Sequence, residues 1–422
     1  MRKASILRFF ARSEIKLLEM SPDVAIEALS ARTADTCVRA PQGRDLAFTY
    51  WHETWTDSMQ RQFMTPDRFV QTLLKHPSIH GLLLADPWRM GPTQWARRLL
   101  GRRPFPIPDR PFATAVVSPR RLRRKDGKGQ AALRASYAEY DRRLSARANA
   151  LRLAAPAMIT TNPFFAAYAP LRWAGPVTYY AFDDWAAFDE HRDWWPDYLD
   201  AYDAIRRRGH RVCAVSQHLL DRLNPTGPGL VVPNGITPGE WREFAKAPDW
   251  LLALPQPRIL YSGAIHGRLD VGAVREVAAR FSAGSVIVIG PVSDEEVAKA
   301  LRRISGVHVM PATADRDLIT GLTRNVDVCI MPHHRTPLTQ SMSPLKIYEY
   351  CAAGRPVAAT DMVPVRGIHK GVVLVKSGDS FPDAVARALE IGPMSEMERQ
   401  DFLLENSWAR RHEQILALAL AD

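Results

Sequence analysis

The stretch SMSPLKIYEYCAAGRPVAAT, residues 341–360, contains the signals of one helix followed directly by one buried strand. Ser343 is a favoured N-cap residue, Pro344 suits the first helical position, and Gly354 followed by Pro356 ends the helix. The run PVAAT that comes next is apolar and of strand length. A helix that leads into a buried strand is typical of a sheet whose two faces are covered by helices.

Lys346 and Glu349 are three positions apart in this helix and therefore lie on neighbouring positions of one face. The unpaired N–H groups and positive pole of a helix N-terminus favour an anion, and a lysine beside them strengthens the attraction to a phosphate. A carboxylate one turn further along can accept hydrogen bonds from hydroxyl groups. The alternative interpretation is an ion pair on a solvated face.

This stretch resembles the donor-binding segment of GT-B glycosyltransferases of the group-1, family 4-like type, in which the helix reads P-x-K-x-x-E-x-x-A-x-G-x-P-V-V-A-T. The matching residues are Lys346, Glu349, Ala352, Gly354, Pro356, Val357, Ala359 and Thr360. The resemblance implies that the helix, with Ser343 at its start, holds the diphosphate of a nucleotide sugar and that Glu349 binds the ribose. It also implies retention of configuration. Many family members carry a second glutamate near the donor sugar, where this chain has Ser341.

Two acids, Asp183 and Asp184, follow a predicted strand in the stretch VTYYAFDDWAAF, residues 177–188. Substrate chemistry on open α/β sheets takes place at the carboxyl ends of strands, although one of these acids is expected to cap the next helix. The stretch is similar to the YD-x-x-D-D segment of the same glycosyltransferases. Asp183 and Asp184 are therefore the candidates for proton transfer or nucleophilic attack.

The second half of the chain opens with a strand and a glycine-containing loop, residues 258–270. Gly263 and Gly267 do not form a GxGxxG fingerprint, but a short glycine loop lets backbone N–H groups approach a phosphate. The resemblance implies that Arg268, with Lys346, neutralises the leaving diphosphate. His333, His334 and Arg335 precede the helix and are candidates for lining the donor pocket or for plain solvent exposure. The predicted donor-binding residues are Gly263, Ser341, Ser343, Lys346 and Glu349, and the predicted catalytic residues are Arg268, Lys346, Asp183 and Asp184.

Strands alternate with helical segments along the chain, which predicts parallel, doubly wound sheets. The resemblance implies two Rossmann-like domains that face each other across a cleft. The expected divisions are an N-terminal extension (1–42), an acceptor-binding domain (43–240), a nucleotide-sugar-binding domain (256–394) and helices that pack back toward the first domain (395–422). The loop after the first strand supplies the acceptor-cleft candidates, namely His52, Trp55, Asp57, Arg61 and Gln62.

The positive charge of the chain is concentrated in one segment. Residues 88–134 hold thirteen Lys/Arg and two acids, a net charge of +11, which equals the formal charge of the whole chain. Such a patch predicts one anionic partner, namely membrane headgroups, an anionic polysaccharide or nucleic acid, or else it is simply a solvated loop. The few interleaved aromatics, Trp88, Trp95 and Phe105, argue against nucleic acid.

The remaining composition is that of a globular protein with no predicted membrane span, because no apolar run approaches ~18 to 20 residues. The N-terminus does not read as a secretory signal, and the four scattered cysteines show neither a disulfide framework nor zinc-ligand spacing. We expect a cytoplasmic protein that associates with the inner face of the membrane, and no metal ion.

These features predict a glycosyltransferase that moves a sugar from a nucleotide-diphosphate sugar to a glycan or lipid-linked acceptor, in cell-surface polysaccharide or glycoconjugate synthesis. Two alternatives stay open at this point. One is a nucleotide-sugar epimerase on the same two-domain scaffold, and the other is a non-catalytic protein that binds an anionic polymer.

Overall fold

In a computed structural model of the chain, the described residues are 43–60, 65–91, 105–123, 125–242 and 246–421. The predicted extension 1–42 lies outside them. Residues 44–422 form one compact unit, which contains two large parallel sheets. Within the described ranges, every helix is too short or too polar to cross a membrane.

The first sheet has seven strands in the order β4-β2-β1-β6-β7-β8-β9, and all neighbouring strands are parallel. Two further strands, β3 and β5, pair with each other alone. The nine strands are β1 (Arg44–Thr49), β2 (Ile79–Ala85), β3 (Arg89–Met90), β4 (Thr114–Val117), β5 (Arg120–Arg121), β6 (Ala157–Thr160), β7 (Val177–Ala181), β8 (Arg211–Ala214) and β9 (Gly229–Val231).

The second sheet has six parallel strands in the order β12-β11-β10-β13-β14-β15. These are β10 (Arg258–Ser262), β11 (Ser285–Ile289), β12 (Val307–Met310), β13 (Val328–Met331), β14 (Val357–Thr360) and β15 (Val372–Val375). The strand order reverses between β10 and β13, and the first sheet reverses in the same way between β1 and β6. Ligands of doubly wound sheets bind at the carboxyl side of this reversal.

Helices connect the strands and cover the sheets. In the N-terminal region they are α1 (Trp55–Gln60), α2 (Thr65–Lys75), α3 (Gln130–Ala150), α4 (Pro163–Tyr168), α5 (Trp195–Arg207) and α6 (Gln217–Leu223). The connection to the second sheet carries α7 (Pro238–Arg242) and α8 (Asp249–Leu252). The C-terminal region adds α9 (Val271–Arg280), α10 (Glu295–Arg302), α11 (Arg316–Arg324), α12 (Pro337–Ser341), α13 (Leu345–Ala352), α14 (Phe381–Ile391), α15 (Glu396–Glu405) and α16 (Trp408–Leu420).

The core follows from these layers. Strands β6, β7, β11 and β13 are buried at every position, as expected of parallel strands covered on both faces. The last helix, α16, contributes Ile415, Leu416 and Ala419 to the core of the first sheet, although it follows the second sheet in sequence. The predicted α/β class with two Rossmann-like parallel sheets is confirmed.

The helix predicted from residues 341–360 is α13, and its C-terminus forms as expected. Gly354 has a φ of +73°, its N–H donates to the carbonyl of Cys351 at 2.9 Å, and the N–H of Arg355 donates to Tyr350 at 3.0 Å. Its N-terminus differs from the prediction, because Pro344 is the N-cap and no side chain caps the helix. The hydroxyl of Ser343 instead accepts the backbone N–H of Asn234 at 3.0 Å.

The chain passes between the two sheets twice, and the two passages lie side by side. The N–H of Ile236 donates to the carbonyl of Asn406, and the N–H of Trp408 donates to the carbonyl of Ile236, both at 2.9 Å. A Cβ on Gly235 would lie 2.9 Å from the backbone nitrogen of Trp408. We call this paired backbone the crossing seam, and its close approach explains the glycine of the predicted Asn234-Gly235 turn.

Candidate active site

Lys346 extends from the first turn of α13 to the carboxyl end of β10, where the strand order of the second sheet reverses. Its Nζ lies 5.3 Å from the centroid of the Tyr261 ring. A Cβ built on Gly263 would lie 2.2 Å from the Cε and 2.5 Å from the Nζ of this lysine, and Gly263 has a φ of +147°. The positive φ requires glycine at position 263, and a Cβ there would also displace the end of the lysine side chain. The glycine therefore leaves the room that the ammonium group occupies.

Arg268 brings a second cation to the same place from the loop that follows β10. The backbone N–H of Arg268 donates to Nδ1 of His266 at 3.1 Å, and the backbone carbonyl of Arg268 accepts from the N–H of His334 at 2.9 Å. These bonds hold the loop against the segment after β13. Burial and the charge of Arg268 together lower the pKa of Lys346 to about 8. Within the residues that the structure describes, neither cation forms an ion pair. Two positive charges without an ion-pair contact in these residues therefore lie close together.

Two histidines at this edge are held in their neutral form. Burial, followed by the charges of Lys346 and Arg268, lowers the pKa of His333 to about 2. Burial, followed by the same two charges, lowers the pKa of His266 to about 4. Nε2 of His333 lies 3.2 Å from the hydroxyl of Tyr261, whereas its buried Nδ1 has no hydrogen-bond partner. The site is thus a region of positive potential, which favours an anion.

Glu349 lies one turn beyond Lys346 on α13. Its Oε1 accepts a hydrogen bond from Nη2 of Arg316 at 2.9 Å, and about a fifth of the glutamate side chain is exposed. Sequence reasoning did not single out Arg316. The signal that could have found it is its place directly after the N-cap Asp315, as the first residue of α11, the helix that follows the carboxyl end of β12.

Ser341 and Asp184, predicted to bind the donor and to act in catalysis, are brought together by the structure. The Ser341 hydroxyl donates to Oδ2 of Asp184 at 2.9 Å, and Arg222 forms an ion pair with the same oxygen at 2.8 Å. The hydroxyl of Ser216 donates to the Ser341 carbonyl at 2.5 Å. We call these four residues the Asp184 cluster. Because Asp184 is fully buried and its carboxylate is already engaged, the cluster joins the two regions and leaves Asp183 as the accessible acid.

Asp183 follows β7 and is partly buried. Burial raises the pKa of its carboxyl to about 7, against the attraction of Arg268, and the charges of Glu53 and Asp184 add to the increase. The effect of Arg268 on Asp183 shows that the two regions face each other here. Glu53 is a residue that sequence reasoning did not propose for catalysis. Burial raises its pKa to about 7, and its buried Oε2 has no hydrogen-bond partner.

The acceptor-cleft candidates have four different outcomes. His52 is exposed, with its ring centroid 4.6 Å from that of Trp185. Trp55 is buried in the core and its indole N–H donates to the carbonyl of Phe105 at 3.0 Å, so the structure does not place it in the cleft. Asp57 accepts the hydroxyl of Thr54 at 2.6 Å in the turn that begins α1. The remaining two, Arg61 and Gln62, lie outside the described residues.

Comparisons with known proteins agree with this geometry. Residues 256–391, which include β10–β15 and α13, match the family described as glycosyl transferases group 1. The match places a group 1 glycosyltransferase domain at residues 256–391, which are about a third of the chain. Within this group 1 domain lie Gly263, Arg268, Lys346 and Glu349.

The wider scaffold of the group 1 domain has solved neighbours. One is sucrose-phosphate synthase from Thermosynechococcus elongatus, with a TM-score of 0.64, 14% identity, and coverage of 89% of this chain and 98% of that one. Another is a trehalose-6-phosphate protein from E. coli bound with UDP-2-fluoro glucose, with a TM-score of 0.63, 14% identity, and coverage of 89% and 99%. At such identity these likenesses show the fold alone.

A curated relative is also similar in sequence. A Bacillus subtilis (strain 168) protein named TuaH, whose name assigns it to teichuronic acid biosynthesis as a glycosyltransferase, is 27% identical over 146 residues. That match covers 34% of this chain and 36% of the relative, so the chain matches about a third of the curated relative's length.

Proposed function

We propose that this chain is a glycosyltransferase that moves a sugar from a nucleotide-diphosphate sugar to a glycan or lipid-linked acceptor in the cleft between its two sheets. The observation that carries the proposal is the meeting of Lys346, Arg268 and the N-terminus of α13 beside Gly263, with no carboxylate paired to either cation in the described chain. Partly buried positive charge is unfavourable without a counter-ion. A diphosphate supplies that counter-ion, and Glu349 lies one turn further along, where a ribose would follow.

The same groups account for the proposed reaction. When the bond between the anomeric carbon and the diphosphate oxygen breaks, negative charge develops on that oxygen. Lys346, Arg268 and the free N–H groups of α13 are positioned to stabilise this charge in the transition state, so the proposed reaction needs no metal ion. The attacking hydroxyl of the acceptor has to lose a proton. Asp183 is the proposed acceptor of that proton, because a carboxyl with a pKa of about 7 exchanges protons near neutral pH. We further propose retention of configuration, from the family pattern alone.

A nucleotide-sugar epimerase is the second candidate, because two carboxyls with raised pKa values, Asp183 and Glu53, lie in this region. An epimerase changes the donor without an acceptor. Incubation of the enzyme with nucleotide sugars alone, followed by separation of the products, distinguishes the two activities. A transferase leaves the sugar unchanged until an acceptor is added, whereas an epimerase converts it directly.

Nucleotide binding is the first test. We expect isothermal titration calorimetry of the whole chain with UDP, GDP and ADP to detect binding of at least one of them, with a dissociation constant in about the micromolar range, which is usual for enzyme substrates. Glu349→Gln should weaken the binding of that nucleotide, while Arg302→Met, at an exposed pair on α10, should not. If none of the three nucleotides binds to the folded wild-type chain, the proposal is wrong.

We also propose that the enzyme acts in polysaccharide or glycoconjugate synthesis at the inner face of the membrane, where the basic segment 88–134 contacts anionic headgroups. The name of the Bacillus subtilis relative supports a polysaccharide product. A loop after β5 supports the membrane contact, because Leu122 is 84% exposed and is flanked by the exposed Arg120, Arg123 and Lys125. An apolar tip between cations suits a surface of anionic lipids.

The base of this loop is packed beside a tryptophan. Trp88 lies between two guanidinium groups, with Arg121 at 5.6 Å and Arg143 at 5.2 Å from its ring. A cavity of about 420 Å³ opens beside this tryptophan and is lined by both arginines and by Leu122.

Charge reversal of this loop provides the second prediction. We expect Arg120→Glu/Arg123→Glu to weaken binding to vesicles that contain phosphatidylglycerol by at least about tenfold, because each cation near such a surface contributes about 1 kcal/mol. Vesicle co-sedimentation measures this binding. The control is Arg275→Glu/Arg303→Glu, which changes the charge equally at exposed positions of the C-terminal region. Equal binding by the two double variants would exclude the loop as the membrane contact.

A further inference from the structure

Four charged side chains of alternating sign connect the ribose-binding position to the opposite half of the molecule. Arg316 contacts Glu349 at 2.9 Å and Glu240 at 2.7 Å through the same nitrogen, Nη2. The other oxygen of Glu240 lies 3.3 Å from Nη1 of Arg68 on α2. We call these four residues the charge series, in the order Arg68, Glu240, Arg316 and Glu349. It begins in the N-terminal region, passes through α7 in the connection, and ends on α13.

The members of the charge series are not ordinary surface ion pairs. Their side chains are between 18% and 32% exposed, so solvent screens them less than it screens fully exposed pairs. The guanidinium of Arg316 lies 5.9 Å from the ring centroid of Trp241, which is buried. This tryptophan and the two carboxylates restrict the arginine to one orientation.

The contact of Arg316 with Glu349 is one-sided. It uses Oε1 of the glutamate, and in the described part of the chain Oε2 accepts no hydrogen bond. A carboxylate held in this way keeps its charge and its direction while one oxygen stays available to a hydroxyl group. Without the arginine, the glutamate side chain would rotate more freely and would pay the entropy of ordering when a ligand binds.

We propose that Arg316 is a positioning residue that holds Glu349 in the orientation that binds a nucleotide ribose, and that Glu240 and Arg68 link this orientation to the seating of the two regions. The inference rests on the proposed function, since it assumes a nucleotide donor at α13. In this proposal, Arg316 and Glu349 together determine specificity for the ribose, whereas other groups hold the diphosphate.

The test compares nucleotides that differ only at the ribose with pyrophosphate, which has no nucleoside. Isothermal titration calorimetry is carried out on the whole chain with UDP, GDP and ADP, with their 2′-deoxy counterparts, and with inorganic pyrophosphate. The variants are Arg316→Met, which removes the charge, Arg316→Lys, which retains it, and Glu240→Gln, which weakens the restraint on Arg316. Arg302→Met serves as the matched control, because Arg302 pairs with Glu295 at 2.7 Å on the exposed face of α10.

We expect Arg316→Met to weaken the binding of the tightest-binding ribonucleotide by about tenfold, which is a usual coupling between contacting residues. The variant should then bind the ribonucleotide and its 2′-deoxy counterpart with equal affinity. Pyrophosphate affinity should stay at the wild-type value, which also shows that the variant is folded. Arg316→Lys should recover part of the loss, and Glu240→Gln should show a smaller loss in the same direction. In a Glu349→Gln background, Arg316→Met should have little further effect.

Three results would overturn the inference. Equal weakening of ribonucleotide and pyrophosphate would show a general structural role, and unchanged ribonucleotide affinity would show that Arg316 does not act on the ribose. Tighter ribonucleotide binding would show that the arginine competes with the ribose for Glu349. Failure of the wild type to bind any nucleotide is a separate outcome, which rejects the proposed function itself and this inference with it.

Discussion

Lys346→Gln is expected to lower kcat/KM for sugar transfer by about 100- to 1,000-fold, the range found when a preorganised group that stabilises transition-state charge is removed. Glutamine is one atom shorter than lysine and still donates hydrogen bonds, so the loss measures mainly the positive charge. Initial rates with the donor identified by nucleotide binding give this value. A loss of less than tenfold in kcat/KM would show that Lys346 does not stabilise the charge that develops in the transition state.

The same lysine predicts a pH dependence. The pKa of Lys346 is lowered to about 8, so the ammonium group is charged below that pH and neutral above it. The groups that act on it are Arg268, which lowers the pKa, and Glu349, which raises it, and the adjacent His266 and His333 are neutral in this range. Affinity for a nucleoside diphosphate should therefore fall about tenfold from pH 7 to pH 9, as the free protein loses this charge. In Lys346→Arg the guanidinium stays charged, so the fall should become smaller, and what remains comes from the ionisation of Asp183 and Glu53, whose pKa values are raised to about 7.

Arg222→Met is expected to destabilise the fold by about 3 kcal/mol, the largest stability effect that we predict. Asp184 is fully buried, and Arg222 is the cation that compensates its charge at 2.8 Å. Removal of one partner leaves a buried charge without compensation, which costs more than the pair itself contributes. The hydrogen bonds from Ser341 at 2.9 Å and Tyr202 at 3.3 Å remain, which places the cost at the lower end of the usual range. Urea unfolding measures the change in free energy.

The matched control is the double variant Arg222→Met/Asp184→Asn. It removes both charges and keeps the shape of the acid, so it should be clearly more stable than Arg222→Met alone. If the double variant were as unstable as the single one, the loss would come from packing around Arg222, and the account of Asp184 as a compensated buried charge would be wrong.

Local signals were sufficient for the part of the fold that lies around α13. The glycine and proline after residue 353 specify the end of the helix, and the apolar run specifies β14, because both depend on backbone geometry within a few residues. The start of the helix was predicted less well. Ser343 has the right chemistry for an N-cap, but its hydroxyl is used by Asn234, which is 109 residues away in sequence.

The errors in the candidate site have the same cause. Asp184 and Ser341 are 157 residues apart in sequence, and Arg316 and Glu349 are 33 apart, so no periodicity connects the members of either pair. Trp55 looked like a sugar-binding side chain in a loop, but its ring is buried and its N–H bonds to Phe105. Polar contacts between distant segments depend on how the two sheets are docked, which a single sequence does not show. The proposals of Lys346 and Arg268 came from the family pattern, and that of Gly263 came from the glycine loop after β10.

The crossing seam restricts how the two regions can move. Two neighbouring chain passages are joined by two backbone hydrogen bonds, so a rotation about that line keeps these bonds, whereas a separation of the sheets breaks them. Such a rotation also has to break the contacts of the Asp184 cluster, which joins the two regions as well. An opening made by this rotation is wedge-shaped, because the two sheets move apart most at the points farthest from the crossing seam. In the proposed glycosyltransferase, a bulky acceptor would then enter from the wide side.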